Sequence, residues 1–237
     1  MFKKRILLAV AAVAVLGLGT QSAFAASATI KVPSGFDKSL SDTRSAGHYA
    51  VQGTGLHIFT DDSSSQAKVA EYVATTTALA SVGEPKLNFT NTSSGGIPGF
   101  QLVVDFNNDG TADGILVGEP GAYGNDWWLT KGSAAFVKAL APSHEAAGFG
   151  SGNHGTLEQW RSAFPTATVR AFGFSLGSGV KGDGVLDSID FAGTNYTFAM
   201  SVVLKNKAEC KNGGWATSDI PVFTDQGQCV KFFTANK

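Results

Sequence analysis

The chain has 237 residues, of which 43% are hydrophobic and 16% are charged, and its formal net charge at pH 7 is −1. This balance argues against a nucleic-acid-binding protein, because such proteins carry an excess of Lys and Arg that neutralises phosphates. The chain is long enough to bury one sizeable hydrophobic core.

The N-terminus, residues 1–25, has the three parts of a secretory signal peptide. A basic start (residues 3–5) precedes an apolar run (residues 6–18), and Ala23 and Ala25 form a cleavage motif. Cleavage after Ala25 removes three positive charges and no acidic residue, which changes the net charge to −4. The apolar run is shorter than the ~20 residues that a membrane-spanning helix needs. We therefore expect an exported mature protein without a membrane span, which is secreted and extracellular or associated with the cell wall.

The predicted body of the protein follows a short polar segment. Residues 26–46 are small and polar without a sustained hydrophobic period, so we expect a flexible lead-in. Residues 47–203 contain about nine or ten segments rich in β-branched and aromatic residues, separated by Gly, Asn, Asp, Ser or Pro. This pattern predicts an all-β domain, a β-sandwich of the jelly-roll type.

One or two short helices are expected within this all-β domain. In "GSAAFVKALAP", Ser133 is a candidate N-cap and Pro142 stops the helix. In "GTLEQWRSAFP", Thr156 and Gln159 have the spacing of a capping box, and Pro165 ends the segment.

The C-terminal residues 204–237 differ in composition from the strands and contain Cys210 and Cys229. An isolated cysteine pair in an exported protein is typical of a disulfide bond. The sequence therefore predicts a disulfide-closed tail, either a short stapled appendage or a terminal hairpin and turn.

The segment "DFNNDGTADG" has the spacing of a calcium-binding loop. Asp105, Asn107, Asp109, Thr111 and Asp113 occupy alternate positions, with Thr111 placed to offer its backbone carbonyl. This spacing follows the first half of the EF-hand loop, so we expect a structural Ca²⁺ site between two strands.

Two further positions qualify this interpretation. Gly110 stands where the loop must turn sharply, whereas Leu116 replaces the bidentate Glu of an EF-hand, so Asp113 must supply that ligand. The pattern resembles the short calcium loops between strands of integrin-like propeller proteins. The alternative is a plain Asn/Asp/Gly hairpin turn.

The glycine-rich segment "EPGAYGNDWWLT" contains the candidate ligand-binding residues Tyr123, Asp126, Trp127 and Trp128. Adjacent residues of a strand point to opposite faces, so one tryptophan is expected in the core and the other outside. Exposed rings can stack against a sugar while carboxylates bind its hydroxyls. The alternative is that both tryptophans are packing residues.

Motifs that would indicate an enzyme lack a required partner. "GFSLG" places Ser175 as in a hydrolase elbow, but no histidine follows it in the chain. "HEAAG" has Gly148 where a zinc motif needs its second histidine. No spacing selects a pair among the candidate carboxylates for sugar cleavage, which are Glu119, Asp126, Glu158, Asp187 and Asp190. We predict no catalytic residues.

Several segments resemble a family of uncharacterised secreted β-rich proteins of actinobacteria: "GFQLVVDFNNDGTADGILVGEPGAYGNDWWL", "VRAFGFSLGSGVKGDGVLDSIDFAGTNYTF" and the ending "CKNGGW…QGQCVKFF". The resemblance covers most of the mature chain and implies export and a β-rich fold. "DSIDFAGTNYTF" also looks like the last strand of jelly-roll carbohydrate-binding modules.

The sequence as a whole favours a secreted, non-catalytic carbohydrate-binding module whose partner is an extracellular glycan or cell-surface component. The alternatives are a polysaccharide-acting enzyme, either a glycoside hydrolase or a lyase, and a structural or adhesive protein of the cell envelope.

Overall fold

The computed structural model describes residues 26–146 and 152–235, and the predicted signal peptide lies outside these ranges. Within them the chain forms twelve strands and four short helices. The strands are β1 (Ala26–Val32), β2 (Gly47–Gln52), β3 (Gly55–Thr60), β4 (Lys68–Ala78), β5 (Lys86–Asn91), β6 (Gly99–Asp105), β7 (Gly114–Gly118), β8 (Asp126–Leu129), β9 (His154–Thr156), β10 (Thr168–Gly177), β11 (Asp183–Phe191) and β12 (Thr194–Met200). The helices are α1 (Pro120–Tyr123), α2 (Ala135–Ala139), α3 (Leu157–Ala163) and α4 (Gln226–Ala235).

The strands form two sheets. In sheet A the order is β1-β12-β11-β3-β2, and β5 pairs with the other side of β11. Strand β1 runs parallel to β12, whereas the other pairs of this sheet are antiparallel. Sheet B is antiparallel throughout, with the order β4-β10-β6-β7-β8-β9. The predicted β-rich, sandwich-like fold is confirmed.

One hydrophobic core joins the two sheets. Phe172 of sheet B stacks on Phe191 of sheet A, with ring centroids 4.1 Å apart and an interplanar angle of 11°. Helix α3 covers one part of this core with Trp160, whose side chain is fully buried. The indole N–H of Trp160 donates to the carbonyl of Trp127 at 3.0 Å. This bond satisfies the one polar atom of that ring, which makes its burial favourable.

The N-terminal segment differs from the expected flexible lead-in. Residues 26–32 form β1, and Ile30, Val32 and Phe36 enter the hydrophobic core. The prediction is wrong here because the apolar residues are few and are separated by Ser, Thr and Lys, so no clear period emerges from the sequence. The sandwich therefore begins at Ala26 and not at residue 47.

The two predicted helices exist, and one of their caps differs. Thr156 accepts a hydrogen bond from the Gln159 backbone N–H, and the Gln159 side chain accepts one from the Thr156 N–H, so the predicted capping box is confirmed. Ser133 is not the N-cap of α2: Ala134 holds that position without a side-chain bond. The Ser133 hydroxyl is 3.0 Å from that of Thr130 instead, and thus closes the preceding turn.

The C-terminal tail has its own small core. The predicted disulfide between Cys210 and Cys229 is present, with their Cα atoms 5.8 Å apart, and both residues are buried beside Leu204 and Phe223. Of the two expected forms, the stapled appendage agrees with this arrangement, and the segment contains α4, which carries Cys229, in place of a terminal hairpin. Among the described residues, no helix has the length and apolar character required to cross a membrane.

Candidate functional site

Strand β8 separates the two adjacent tryptophans as their spacing predicts. Trp127 points inward, is 7% exposed and meets Phe100 edge-on at 5.8 Å. Trp128 points to the opposite face and is half-buried. The strand alternation therefore gives one core residue and one partly accessible residue.

The polar neighbours of Trp128 hold its ring in place. Its indole N–H donates to the Glu119 carboxylate at 2.9 Å. On the same face, the Asp126 carboxylate lies 2.7 Å from Nδ1 of His154, a residue of β9. Both acidic groups thus have local partners, and this face does not present a bare aromatic platform with free carboxylates beside it.

The fourth predicted residue, Tyr123, ends the single turn of α1 and is half-buried. Its backbone N–H donates to the carbonyl of Glu119 at 2.9 Å. The turn starts at Pro120 and stops at Gly124, whose φ of 60° favours a residue without a side chain. The predicted segment is therefore a well-defined turn that leads from β7 into β8.

A cleft of about 440 Å³ lies beside this turn, on the inner side of β8. One wall comes from β5 of sheet A, and the other comes from the starts of β6 and β8, the end of β7 and α1 of sheet B. The lining includes three aromatic rings, those of Phe89, Phe100 and Trp127, and three prolines, Pro85, Pro98 and Pro120. Ile97, which is 50% exposed, lies at its edge.

Close packing shapes the floor of the cleft. A Cβ atom on Gly118 would lie 2.8 Å from the Trp127 ring, so only glycine allows the indole to lie across the end of β7. Mostly apolar walls with a few polar groups are typical of small-ligand sites. The polar residues of this lining are Glu84, Lys86 and Asn125.

Of the four predicted ligand-binding residues, Trp127 belongs to the lining of the cleft, whereas Tyr123, Asp126 and Trp128 do not. The segment from Glu119 to Trp128 is conspicuous in the sequence for its aromatic residues, whereas Phe89 and Ile97 lie on distant parts of the chain. The only local signal for them was a proline beside each apolar stretch, at Pro85 and Pro98.

The predicted calcium loop connects β6 to β7 and satisfies its own polar groups. The buried Asp105 carboxylate accepts the backbone N–H groups of Asp109 (3.1 Å) and Gly110 (2.8 Å). The Asp113 carboxylate accepts the backbone N–H of Phe106 at 2.8 Å. These bonds join the two ends of the loop, and Gly110 with φ of 96° makes the sharp turn that the sequence predicts.

The exposed side of the loop is bonded in the same way. The Asp109 carboxylate accepts the Thr111 backbone N–H at 2.8 Å and the Asn107 amide at 2.9 Å. The Thr111 N–H is the main reason that the pKa of Asp109 lies below its usual value, with the Asn107 amide adding to it.

The oxygen ligands of this loop match calcium chemistry. Among the residues that the structure describes, however, no three or more His, Cys, Asp or Glu side chains are grouped closely enough to hold a metal ion. The observed geometry is that of a self-bonded turn. Calcium therefore stays a prediction that rests on the spacing of Asp105, Asn107, Asp109, Thr111 and Asp113.

The candidate carboxylates for sugar cleavage are dispersed, and each has a different partner. Glu119 and Asp126 flank α1 as described above, whereas Glu158 on α3 is 3.3 Å from Arg161. On sheet A, Asp187 accepts from the Thr90 hydroxyl, and Asp190 accepts from the amides of Asn88 and Asn195. No pair of them faces across the cleft, because none of the five belongs to its lining.

Comparison with known proteins gives no further constraint: no family model, no curated protein and no solved structure matches the chain.

Proposed function

We propose that this protein is a secreted, non-catalytic binding module that takes an extracellular glycan into the cleft between β5 and the α1 turn. The observation that carries the proposal is the cleft itself, an apolar concavity of about 440 Å³ built partly from the aromatic segment that the sequence selects. Its volume lies within the range of roughly 300–1,000 Å³ found for small-ligand sites.

The lining suits the two kinds of surface on a sugar ring. The apolar C–H face of a sugar can pack on Pro120, Ile97 and the half-buried ring of Phe89, while its hydroxyls bond to polar groups at the rim. Lys86 and Asn125 offer donors, and Glu84 offers an acceptor. The Glu84 carboxylate is held 3.2 Å from the guanidinium of Arg161, which orients it at the mouth.

A polysaccharide-acting enzyme is the weaker alternative. Canonical glycosidases use two carboxylates that flank the scissile bond, whereas Glu84 is the one carboxylate among the described residues that line the cleft. A structural or adhesive role would need protein contacts instead of a small-ligand site. The presence of a shaped cleft favours the binding module over both.

We also propose that Ca²⁺ binds the loop between β6 and β7. Asp105, Asn107, Asp109 and Asp113 would offer side-chain oxygens, and Thr111 its backbone carbonyl. The ion would supply positive charge among three aspartates and thereby stiffen the turn that precedes β7. This role is structural and separate from the cleft.

Secretion is part of the proposal and is supported by the signal-peptide pattern of residues 1–25 together with the Cys210–Cys229 disulfide. Such bonds persist in oxidising compartments outside the cytosol. The jelly-roll connectivity expected from the sequence stays a prediction, and ligand binding in the cleft does not depend on it.

A glycan array probed with the mature chain tests the ligand class directly. Binding to a defined set of glycans, with a change in tryptophan fluorescence on titration, supports the proposal because Trp127 lines the cleft. Release of reducing ends from the bound glycan would favour the enzyme instead. Absence of binding to every glycan, together with capture of a cell-envelope protein, would favour the adhesive role.

A further inference from the structure

A chain of hydrogen bonds joins a serine, a histidine and an aspartate at the β9 end of sheet B. The Ser143 hydroxyl is 3.1 Å from Nε2 of His154, and Nδ1 of the same ring is 2.7 Å from the Asp126 carboxylate. These are the atom connections of a serine hydrolase triad, in which Nε2 contacts the nucleophile and Nδ1 contacts the acid. Because side chains alternate along β8, Asp126 lies on the opposite face from Trp127 and the cleft.

The backbone fixes the relative positions of the three residues. Ser143 and His154 form an antiparallel bridge, in which each N–H donates to the carbonyl of the other, at 2.9 and 3.2 Å. On the other side of β9, His154 pairs with Trp128, and Asp126 lies two residues before Trp128 on β8. Directly opposed residues, and residues two apart on a strand, project to the same face. The strand pairing therefore brings the three side chains together.

The partners of His154 determine which of its nitrogens can act as a base. A carboxylate only accepts hydrogen bonds, so in the neutral ring Nδ1 carries the proton and donates to Asp126. Nε2 then has the free lone pair and accepts the Ser143 O–H. The His154 side chain is 15% exposed, which shields this base from water, whereas Ser143 is half-buried and lies at the outer end of the chain of bonds.

We propose that Ser143, His154 and Asp126 form a catalytic triad that hydrolyses carboxylic esters. Ser143 and His154 are the catalytic residues, and Asp126 is a positioning residue that holds the ring. This activity goes beyond the proposed function, which assigns only glycan binding to the cleft on the other face of β8. Ester hydrolysis releases no reducing ends from a glycan, so the two proposals are tested independently.

The reaction has two balanced steps. First, Oγ of Ser143 attacks the acyl carbon while Nε2 of His154 takes the hydroxyl proton, and the alcohol then leaves with that proton as its C–O bond breaks. Second, water attacks the acyl-enzyme and gives a proton to Nε2, which returns it to Oγ as the carboxylic acid is released. The Glu145 backbone N–H donates to Oγ at 3.3 Å and is therefore close enough to stabilise the oxyanion that forms beside it.

The surroundings suit a small ester better than a peptide. The half-buried ring of Trp128 beside His154 offers an apolar neighbour to a small acyl group. Esters have better leaving groups than amides, so the reaction needs less help from binding contacts with remote parts of the substrate.

The order of the residues along the chain hides this arrangement from sequence motifs. The acid precedes the nucleophile and the base comes last, whereas "GFSLG" directs attention to Ser175. Ser175 is buried on β10, with its hydroxyl 3.3 Å from the carbonyl of Gly177. Triads are recognised by their geometry and not by their order in the sequence.

An alkyl fluorophosphonate tests the nucleophile in the wild-type mature chain, because its phosphorus bonds to Oγ of an activated serine as fluoride leaves. Peptide mapping should find the label at Ser143, and Ser143→Ala and His154→Gln should remove it. Ser175→Ala is the matched control, at the serine of the hydrolase-like motif, and should be labelled like the wild type. A wild-type chain without label, or with the label at another serine, overturns the proposal.

Hydrolysis of p-nitrophenyl acetate tests turnover. Ser143→Ala should lower the rate roughly 100-fold or more, whereas an unchanged rate would assign the reaction to a histidine alone and contradict the triad. Asp126→Asn can donate to Nδ1 and so removes the free base at Nε2. It should therefore lower kcat by roughly 10²–10⁴-fold while KM and the melting temperature stay nearly unchanged. An unchanged kcat in Asp126→Asn also contradicts the triad.

Discussion

The two ends of β7 differ in how their chemical groups are satisfied. At its start, the loop from Asp105 to Asp113 is polar, and its three carboxylates all accept hydrogen bonds from within the loop. At its end, the turn from Glu119 to Trp128 borders a cleft with mostly apolar walls. One strand of five residues connects these regions.

This difference indicates which of the two regions gains more from binding a ligand. The polar loop holds its shape through its own bonds, so a metal ion would add stability without creating the fold. The apolar cleft leaves hydrophobic surface in contact with water, and covering that surface with a ligand is favourable at about 25 cal/mol per Å². The cleft is therefore the stronger candidate for function.

The largest expected effect on stability concerns the two tryptophans. Trp127→Ala removes a buried ring from the core and should lower the free energy of unfolding by about 3–5 kcal/mol. Trp128→Ala removes a half-buried ring and should cost only about 1 kcal/mol. Urea denaturation of both variants measures the difference. Equal losses would show that the inward and outward assignment of β8 is wrong.

The next effect concerns the buried carboxylate of the loop. Asp105→Ala leaves the N–H groups of Asp109 and Gly110 without their acceptor and should lower the free energy of unfolding by about 2–4 kcal/mol. Asp109→Ala removes an exposed carboxylate and should cost much less, as measured by the same denaturation experiment. If the two variants lose the same stability, the self-bonded turn does not depend on Asp105.

Calcium should have a smaller effect. For a dissociation constant of about 0.1 mM and about 1 mM free ion, mass action gives roughly 1.4 kcal/mol of stabilisation. Thermal unfolding with calcium and with chelator should therefore differ by several degrees, and Asp109→Ala should remove the difference. Asp62→Ala, at an exposed aspartate in another turn, is the matched control and should keep it. Superimposed wild-type curves would mean that the loop is only a turn.

Acid should reveal a still smaller contribution from the same loop. Folding lowers the pKa of Asp109 below its ordinary value of 3.8 because the Thr111 N–H and the Asn107 amide favour the charged form. Its stabilising contribution is therefore complete above pH 3.8 and is lost as the pH falls through the lower, folded-state pKa. The stability difference between wild type and Asp109→Asn should shrink below that pH. A difference that grows in acid would reverse the sign of this interpretation.

Local patterns in the sequence predict where strands and helices lie better than they predict which elements pack against each other. The alternation of β-branched residues predicts most strands, and the Thr156–Gln159 spacing predicts a capping box, because both depend on neighbours along the chain. Strand β1 has too few apolar residues to show a period, so it is apparent only from its pairing with β12 and from the packing of Ile30 and Val32. Of the predicted ligand-binding residues only Trp127 lines the cleft, because the opposite wall, with Phe89, comes from β5, which approaches Trp127 only when the two sheets pack.

Calorimetric titration with the best glycan from the array tests the central claim, that the ligand binds in the cleft. Ile97→Asp puts a charge at the cleft edge, on a side chain that is 50% exposed, and should weaken binding at least tenfold while the melting temperature stays nearly unchanged. Leu140→Asp, at a 59% exposed residue outside the cleft lining, should bind like the wild type. Unchanged affinity of Ile97→Asp, or an equal loss in both variants, would contradict binding at this site.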